Sequence, residues 1–156
     1  MHFIATLITC IAVILSVDTS NAQLQTVAFD QLEHLHAKDK KHVVVFIHTD
    51  WCGYCRQMEN TTFKDDRVIK AMNDHFYFIP LNAEYTQDIN YKGRTFKYRP
   101  TGRKTGIHEL ARELGTINGK LNYPTLSIIN ARNEIVFQHA GLLKADELLA
   151  VLKALE

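Results

Sequence analysis

The distribution of apolar residues along the chain predicts a protein in which strands and helices alternate. Residues 42–49 (HVVVFIHT) form a β-branched apolar run without helical periodicity, which is typical of a strand covered on both faces. Strand character returns in residues 76–84 (FYFIPLNAE), 123–131 (YPTLSIINA) and 134–141 (EIVFQHAG). The last two segments are predicted to be joined by a turn at Arg132–Asn133.

Segments with helical spacing of apolar residues lie between and around these strands. Residues 29–41 (FDQLEHLHAKDKK) predict a first helix with Asp30 as its cap. Residues 55–76 predict a helix that bends or breaks near Thr61–Asp65, and residues 144–156 predict a closing amphipathic helix. This order indicates an α/β fold in which helices cover a central sheet.

The N-terminus resembles an export signal. An apolar run from Phe3 to Val17 is followed by small residues, which predicts cleavage between Ala22 and Gln23. We therefore expect a signal peptide at 1–22 and one domain at 23–156. The alternative is an uncleaved membrane anchor, for which the apolar run is short.

Charge and cysteine content narrow the possible functions. A formal charge of +1 gives no reason to expect nucleic acid as a partner. Because the sequence contains no second long apolar run, stable membrane insertion is not expected after signal cleavage. Cys10 lies within the predicted signal, so only Cys52 and Cys55 remain in the exported protein. Disulfides persist in exported compartments, and these two cysteines can pair with each other.

The stretch DWCGYC places the two cysteines where a strand gives way to a helix. A C-x-x-C in that context indicates redox chemistry, because disulfide exchange needs one thiolate to attack and a second thiol to resolve the mixed disulfide. Cys52, at the helix start, is expected to be the nucleophile, and Cys55, one turn inward, the resolving thiol. The alternatives are a permanent structural disulfide and half of a zinc site. We expect no metal site, because no second pair of ligands accompanies the motif.

Four stretches in order resemble the thioredoxin-like family: DWCGYC after VVVFIHT, LNAE after the next strand, YPTL opening a later strand, and AGLLKADEL before the last helix. The resemblance implies a thioredoxin fold, an α/β architecture with a central mixed sheet flanked by helices. It also implies an inserted hairpin-like segment at about 85–106, before the strand that follows a cis-proline.

The resemblance also implies an activity. The Gly-Tyr pair between the cysteines is similar to that of periplasmic disulfide isomerases, and WCGYCRQME resembles exported thioredoxin-like reductases. We expect a periplasmic or secreted thiol-disulfide oxidoreductase without a cofactor, acting on client proteins with disulfides or thiols and recycled by a redox partner. The reductase or isomerase direction is favoured; an oxidase, or a non-catalytic module that binds a client or a metal, is the alternative.

Five further residues are expected to bind the substrate. Trp51 and Tyr54 would form a flat apolar rim around the reactive sulfur, and Gly53 would allow the tight turn and a close substrate backbone. Tyr123 and Pro124 would form the cis-proline loop, beside which a substrate strand can pair. An ordinary trans-proline at the start of a strand is the alternative.

Two positions depart from the family pattern. The buried acid that thioredoxins carry six positions before the first cysteine is replaced by Phe46, and the proline between the cysteines by Tyr54. Three acids are candidates to replace the missing one: Asp50, Glu59 and Glu84. His48 is either close to the thiols or a packed strand residue.

The insertion is basic and is predicted to form a hairpin around Lys92-Gly93-Arg94. Its charges indicate either a docking surface for a partner or acidic substrate, or a solvated loop. Both interpretations stay open at this point.

Signal cleavage is directly testable. Exported protein is expected to begin at Gln23, because a small-x-small site precedes it. Intact mass spectrometry of the exported protein measures this start. A mass that retains Met1 would contradict the assignment of residues 1–22.

Overall fold

The computed structural model describes residues 23–156, so the predicted signal peptide lies outside the described residues. The helices in this part of the chain are α1 (Leu32–Lys38), α2 (Gly53–Asn60), α3 (Asp66–His75), α4 (Glu109–Gly115) and α5 (Ala145–Ala154). The strands are β1 (His42–His48), β2 (Phe76–Asn82), β3 (Ile89–Tyr91), β4 (Arg94–Phe96), β5 (Tyr98–Pro100), β6 (Gly106–His108), β7 (Thr116–Ile117), β8 (Lys120–Leu121), β9 (Thr125–Ile129) and β10 (Ile135–Ala140). None of the helices within 23–156 has the length and apolar character needed to cross a bilayer.

Four strands form the central sheet in the order β10-β9-β1-β2. Strand β1 runs parallel to β2 and antiparallel to β9, which is antiparallel to β10, so the sheet is mixed. Residues 43–47 of β1 are all buried, which confirms the prediction of a strand covered on both faces.

The helices and the inserted segment cover the two faces of this sheet. Val44 and Phe46 point to a core formed with α2, α3 and α5. Val43, Val45 and Ile47 point to a second core, formed with α1, α4 and the hairpin β3–β4. Because side chains alternate along a strand, one continuous apolar run supplies both cores. The predicted α/β fold with a mixed sheet flanked by helices is confirmed.

The long helical segment after the cysteines breaks where the sequence predicts. Helix α2 ends at Asn60, a short 3₁₀ turn spans Thr62–Lys64, and Asp65 begins α3 by accepting a 2.9 Å hydrogen bond from the Arg67 backbone N–H. The buried Thr62 hydroxyl donates a 2.6 Å hydrogen bond to the Leu143 carbonyl oxygen. This bond ties the break to the loop before α5.

The predicted cap of the first helix is wrong. Asp30 makes no capping hydrogen bond there; it lies within a 3₁₀ turn, Phe29–Gln31, that precedes α1. The Gln31 side chain instead accepts a 2.9 Å hydrogen bond from the Ala28 backbone N–H. The longer glutamine side chain reaches back over the tight turn to Ala28, and no side chain within residues 23–156 caps the start of α1 itself.

The insertion contains the predicted hairpin. Strands β3 and β4 pair antiparallel, and the turn residues Lys92 and Gly93 have φ values of 54° and 69°, as a type I′ turn requires. Tyr91 and Phe96 are buried, and the Tyr91 ring packs edge-on against Phe29 at 5.1 Å. The hairpin is therefore part of the second core, and a second hairpin of β5 and β6 follows it, which was not predicted.

Several basic residues of the insertion have acidic partners. Arg94 pairs with Glu113 at 2.9 Å, and Arg99 with Glu109 at 2.7 Å, so these two guanidinium groups join the insertion to α4. Lys97 lies 3.9 Å from Asp88. The role of the basic insertion in docking stays a prediction.

His108 joins the end of the insertion to α4. Its buried ring accepts a 3.2 Å hydrogen bond at Nδ1 from the Leu110 backbone N–H, and its Nε2 donates to the Gln87 carbonyl oxygen at 3.1 Å. The contact at Nδ1 requires the neutral imidazole, because a proton on Nδ1 would replace the acceptor by a donor. Burial correspondingly lowers the pKa of His108 below its ordinary 6.5.

Stability is expected to depend on pH through His108. Because its folded-state pKa lies below the unfolded value of 6.5, the unfolded chain binds more protons as the pH decreases. The stabilisation present above pH 6.5 is therefore lost as the pH falls through the folded-state pKa. His108→Asn keeps a side-chain acceptor but does not titrate. Denaturant titrations should show a smaller loss of unfolding free energy for this variant between about pH 7.5 and about pH 5.

The exposed His34 provides the matched control. The stability of His34→Gln should follow wild type across the same range. A pH dependence of His108→Asn that runs parallel to wild type would contradict the prediction.

Candidate functional site

The two cysteines lie at the point where β1 leads into α2. Cys52 is the residue that precedes the helix, and its Sγ accepts a 3.1 Å hydrogen bond from the Cys55 backbone N–H. The two sulfurs are bonded at 2.08 Å, with the Cα atoms 5.2 Å apart. Cys52 is 5% exposed and Cys55 1%, so both residues are buried and Cys52 is the slightly more exposed of the two. The structure thus brings the predicted pair together at a helix N-terminus.

Two aromatic side chains stand out from the surface beside the disulfide. Trp51 and Tyr54 are 63% and 64% exposed, which is unusual for such large side chains. Trp51 contacts Tyr123 edge-on at 5.8 Å and donates a 3.1 Å hydrogen bond from Nε1 to Glu84. These contacts fix Trp51 between the cysteine loop and the proline loop.

Gly53 is the first residue of α2. Its φ is not positive, so the turn itself does not require glycine there. A Cβ atom at this position would meet nothing within 4 Å. The open space above Gly53 leaves room for the close approach of another chain.

The proline loop contacts the cysteine loop through Tyr123 and Trp51, and it is anchored to the end of the sheet. The peptide bond between Tyr123 and Pro124 is cis, and the Pro124 carbonyl oxygen accepts a 2.8 Å hydrogen bond from the Gly141 N–H. The Thr125 hydroxyl donates a 2.8 Å bond to the Asn122 carbonyl oxygen. Between these anchors, the Tyr123 backbone N–H and C=O have no backbone partner among residues 23–156.

Asp50 and Glu84 support the rim. Asp50 accepts a 2.8 Å hydrogen bond from the Asn82 amide, and its backbone oxygen accepts one of 2.8 Å from Arg56. Glu84 holds Trp51. The hypothesis that either is a buried substitute for the family's acid is not supported, because no aspartate or glutamate is buried within residues 23–156.

The position of the missing acid is filled by a ring. Phe46 belongs to the buried cluster that includes both cysteines, and Phe63 packs on it edge-on at 4.9 Å. The His48 ring also stacks on Phe46 at 5.3 Å, with 12° between the planes. Burial of His48 lowers its pKa, and Glu59, 3.9 Å away, acts in the opposite direction. The structure thus joins His48 to Glu59, a pairing that the sequence analysis did not make.

The described residues contain no cluster of three or more His, Cys, Asp or Glu side chains that could hold a metal ion. The arrangement itself supplies a disulfide at the start of α2, with the exposed rings of Trp51 and Tyr54 beside it.

Comparison with known proteins identifies the family. Residues 28–156 match the family model of the thioredoxin-like domain, and the chain belongs to this family. Its fold is accordingly the thioredoxin fold, with the hairpins of the insertion added between β2 and α4. A search of curated protein sequences found no match.

Solved structures of low sequence identity share the fold. A structure described as DsbH oxidoreductase is 16% identical, with 94% of each chain covered and a TM-score of 0.60. A thioredoxin from Thermus thermophilus is 19% identical, covering 85% of this chain and 86% of its own, with a TM-score of 0.58. A thioredoxin-fold protein from Helicobacter pylori is 13% identical, covering 85% and 75%, also with a TM-score of 0.58.

Proposed function

We propose that the protein is an extracytoplasmic thiol-disulfide oxidoreductase that exchanges disulfides with client proteins through Cys52 and Cys55. The observation that carries the proposal is the Cys55 backbone N–H directed at Cys52 Sγ at the start of α2. Once the disulfide is reduced, this donor and the helix N-terminus stabilise a thiolate on Cys52. A purely structural bridge between residues so close in sequence closes a very short loop and contributes little stability.

The exchange proceeds in two sulfur transfers. The Cys52 thiolate attacks one sulfur of a client disulfide, forms a mixed disulfide, and releases the other client sulfur as a thiolate. The Cys55 thiolate then attacks Cys52 Sγ, which re-forms the Cys52–Cys55 bond and releases the reduced client. The place of Cys52 at the start of α2 and its slightly greater exposure than Cys55 support this order.

The rim and the proline loop are proposed to bind the client. Trp51, Tyr54 and Tyr123 offer apolar faces next to the disulfide, and Gly53 leaves space for an extended backbone. Such a backbone can pair with the Tyr123 N–H and C=O beside Pro124. These two main-chain hydrogen bonds, with few side-chain contacts, suit a protein that acts on many sequences.

The direction of exchange is proposed to be reduction or isomerisation, and the compartment periplasmic or extracellular. The direction draws on the C-G-Y-C sequence, and the compartment on the signal-like residues 1–22. A structurally similar protein is described as an oxidoreductase. A net reductase needs a partner that returns Cys52 and Cys55 to the dithiol form after each turnover.

Trapping of clients distinguishes the two cysteines. Cys55→Ser is expected to accumulate mixed disulfides through Cys52, because nothing remains to resolve them, whereas Cys52→Ser should trap almost nothing. Each variant is expressed with its export signal, quenched with acid, and compared on non-reducing gels. The double variant Cys52→Ser/Cys55→Ser provides the background. Equal trapping by the two single variants would sink the assignment of Cys52 as nucleophile, and no trapping by either favours a binding module.

The reduction potential separates the possible directions. Equilibration with glutathione is expected to give a value between about −270 mV, as in thioredoxin, and about −180 mV, as in protein disulfide isomerase. A value near about −120 mV, as in a strong oxidase, would reverse the proposed direction. Mass spectrometry after thiol alkylation measures the dithiol fraction at each glutathione ratio.

A further inference from the structure

The face of β1 that packs against the cysteine pair carries a histidine beyond Phe46. Alternate residues of a strand point to the same side, so Phe46 and His48 share this face, and their rings stack at 5.3 Å. Phe46 itself lies in the cluster that contains Cys52 and Cys55. His48 is thus the next residue on this face after Phe46, which occupies the position of the family's acid, and it is ionisable.

Helix α2 brings a carboxylate to the same histidine. Cys55 and Glu59 are one helical turn apart and therefore lie on the same side of α2. The distance of 3.9 Å between Glu59 Oε1 and His48 Nδ1 is within ion-pair range but too long for a hydrogen bond. A carboxylate beside Nδ1 favours the tautomer with its proton there, which leaves Nε2 as a proton acceptor.

His48 also reaches the surface. Its side chain is 15% exposed and lines an open cavity of about 630 Å³ between residues 26–31, the end of β2 and the segment before β3. Asp30 and Asp88 line the same cavity. Burial lowers the pKa of His48, while Glu59 and, more weakly, Asp50 raise it. Burial therefore favours the neutral ring, while the carboxylates are placed to stabilise the imidazolium.

We propose that His48, held by Glu59, receives the proton that Cys55 loses before it attacks the mixed disulfide. The inference rests on the proposed exchange function and adds to it the group that replaces the family's buried acid at position 46. His48 is a positioning residue, because the proton reaches it from Cys55 through water rather than by direct contact. From His48 the proton passes to solvent in the cavity.

The step balances in protons and electrons. Cys55 S–H gives its proton through water to His48 Nε2, and the resulting thiolate attacks Cys52 Sγ. The Cys52–Cys55 bond forms as the Cys52–client bond breaks, and the electron pair of the broken bond leaves on the client sulfur. The client thiolate takes a proton from water, and the imidazolium returns its proton to the solvent. No oxidant or reductant beyond the client disulfide is needed.

Stopped-flow reaction of the reduced protein with dithiobis(nitrobenzoate) separates the two transfers. The first equivalent of nitrothiobenzoate reports attack by Cys52, and its rate depends on reagent concentration. The second reports attack by Cys55 within the mixed disulfide and is independent of reagent concentration. Wild type is compared with His48→Phe, which keeps a ring against Phe46, with Glu59→Gln at a half-exposed site, and with His34→Gln as the surface control.

His48→Phe should slow the second phase by about tenfold below neutral pH, at the low end of what a positioned base contributes. Its pH profile should shift upward to that of an unassisted thiol. Glu59→Gln should slow the same phase by a smaller factor, and the first phase should change by less than about twofold in both variants. His34→Gln should match wild type in both phases.

Three results would overturn the inference. The first is an unchanged second phase in both variants. The second is a slower second phase in His48→Phe without a shift in its pH profile. The third is a slowing of the first phase that equals the slowing of the second. Failure of the exchange function is seen separately, in wild type. In that case wild-type protein releases no second equivalent, or Cys52→Ser still shows the first phase.

Discussion

Burial of β1 on both faces is the constraint on which the position of the site depends. Val43, Val45 and Ile47 are packed into one core and Val44 and Phe46 into the other, so the strand cannot shift by one residue without exchanging the two sets. The register with β2 and β9 is fixed in the same way. Because α2 begins five residues after β1 ends, this fixed strand also sets where Cys52 lies.

The site itself combines rigid and accessible parts. Cys55 is held in the core, while Trp51 and Tyr54 project outward from the neighbouring positions. Asn82, at the end of β2, and Glu84, just beyond it, hold the cysteine loop from one side. Asn82 donates a hydrogen bond to Asp50, and Glu84 accepts one from Trp51. The proposed disulfide exchange requires the sulfurs to be held in place while a client enters, and the buried cysteines beside exposed aromatic rings suit both requirements.

The sequence predicted the elements whose pattern is local and repeated. The buried run of β1, the break between α2 and α3, and the turn of the β3–β4 hairpin follow from apolar periodicity and turn chemistry. The cap by Gln31 and the β5–β6 hairpin were missed, because each depends on contacts rather than on a local pattern.

The same limit applies at the site. C-x-x-C after a strand indicated the cysteine pair, but the meeting of His48 with Glu59 depends on how α2 crosses β1. Two spacings in the sequence pointed to this pair. His48 is two residues after Phe46 on the strand, and Glu59 is four residues after Cys55 on the helix. Phe46, at the position of the family's acid, marks this place in the sequence, but only the fold shows that His48 and Glu59 lie beside it.

Trp51 is the only tryptophan in the chain. All indole fluorescence of the protein therefore arises from one ring, which adjoins Cys52 and is held by Tyr123 and Glu84. Emission from this ring is expected to change when the disulfide beside it opens and when a polypeptide covers its exposed face. The protein thus carries an intrinsic optical probe of its own redox state and occupancy, and neither labelling nor an added chromophore is required to read it.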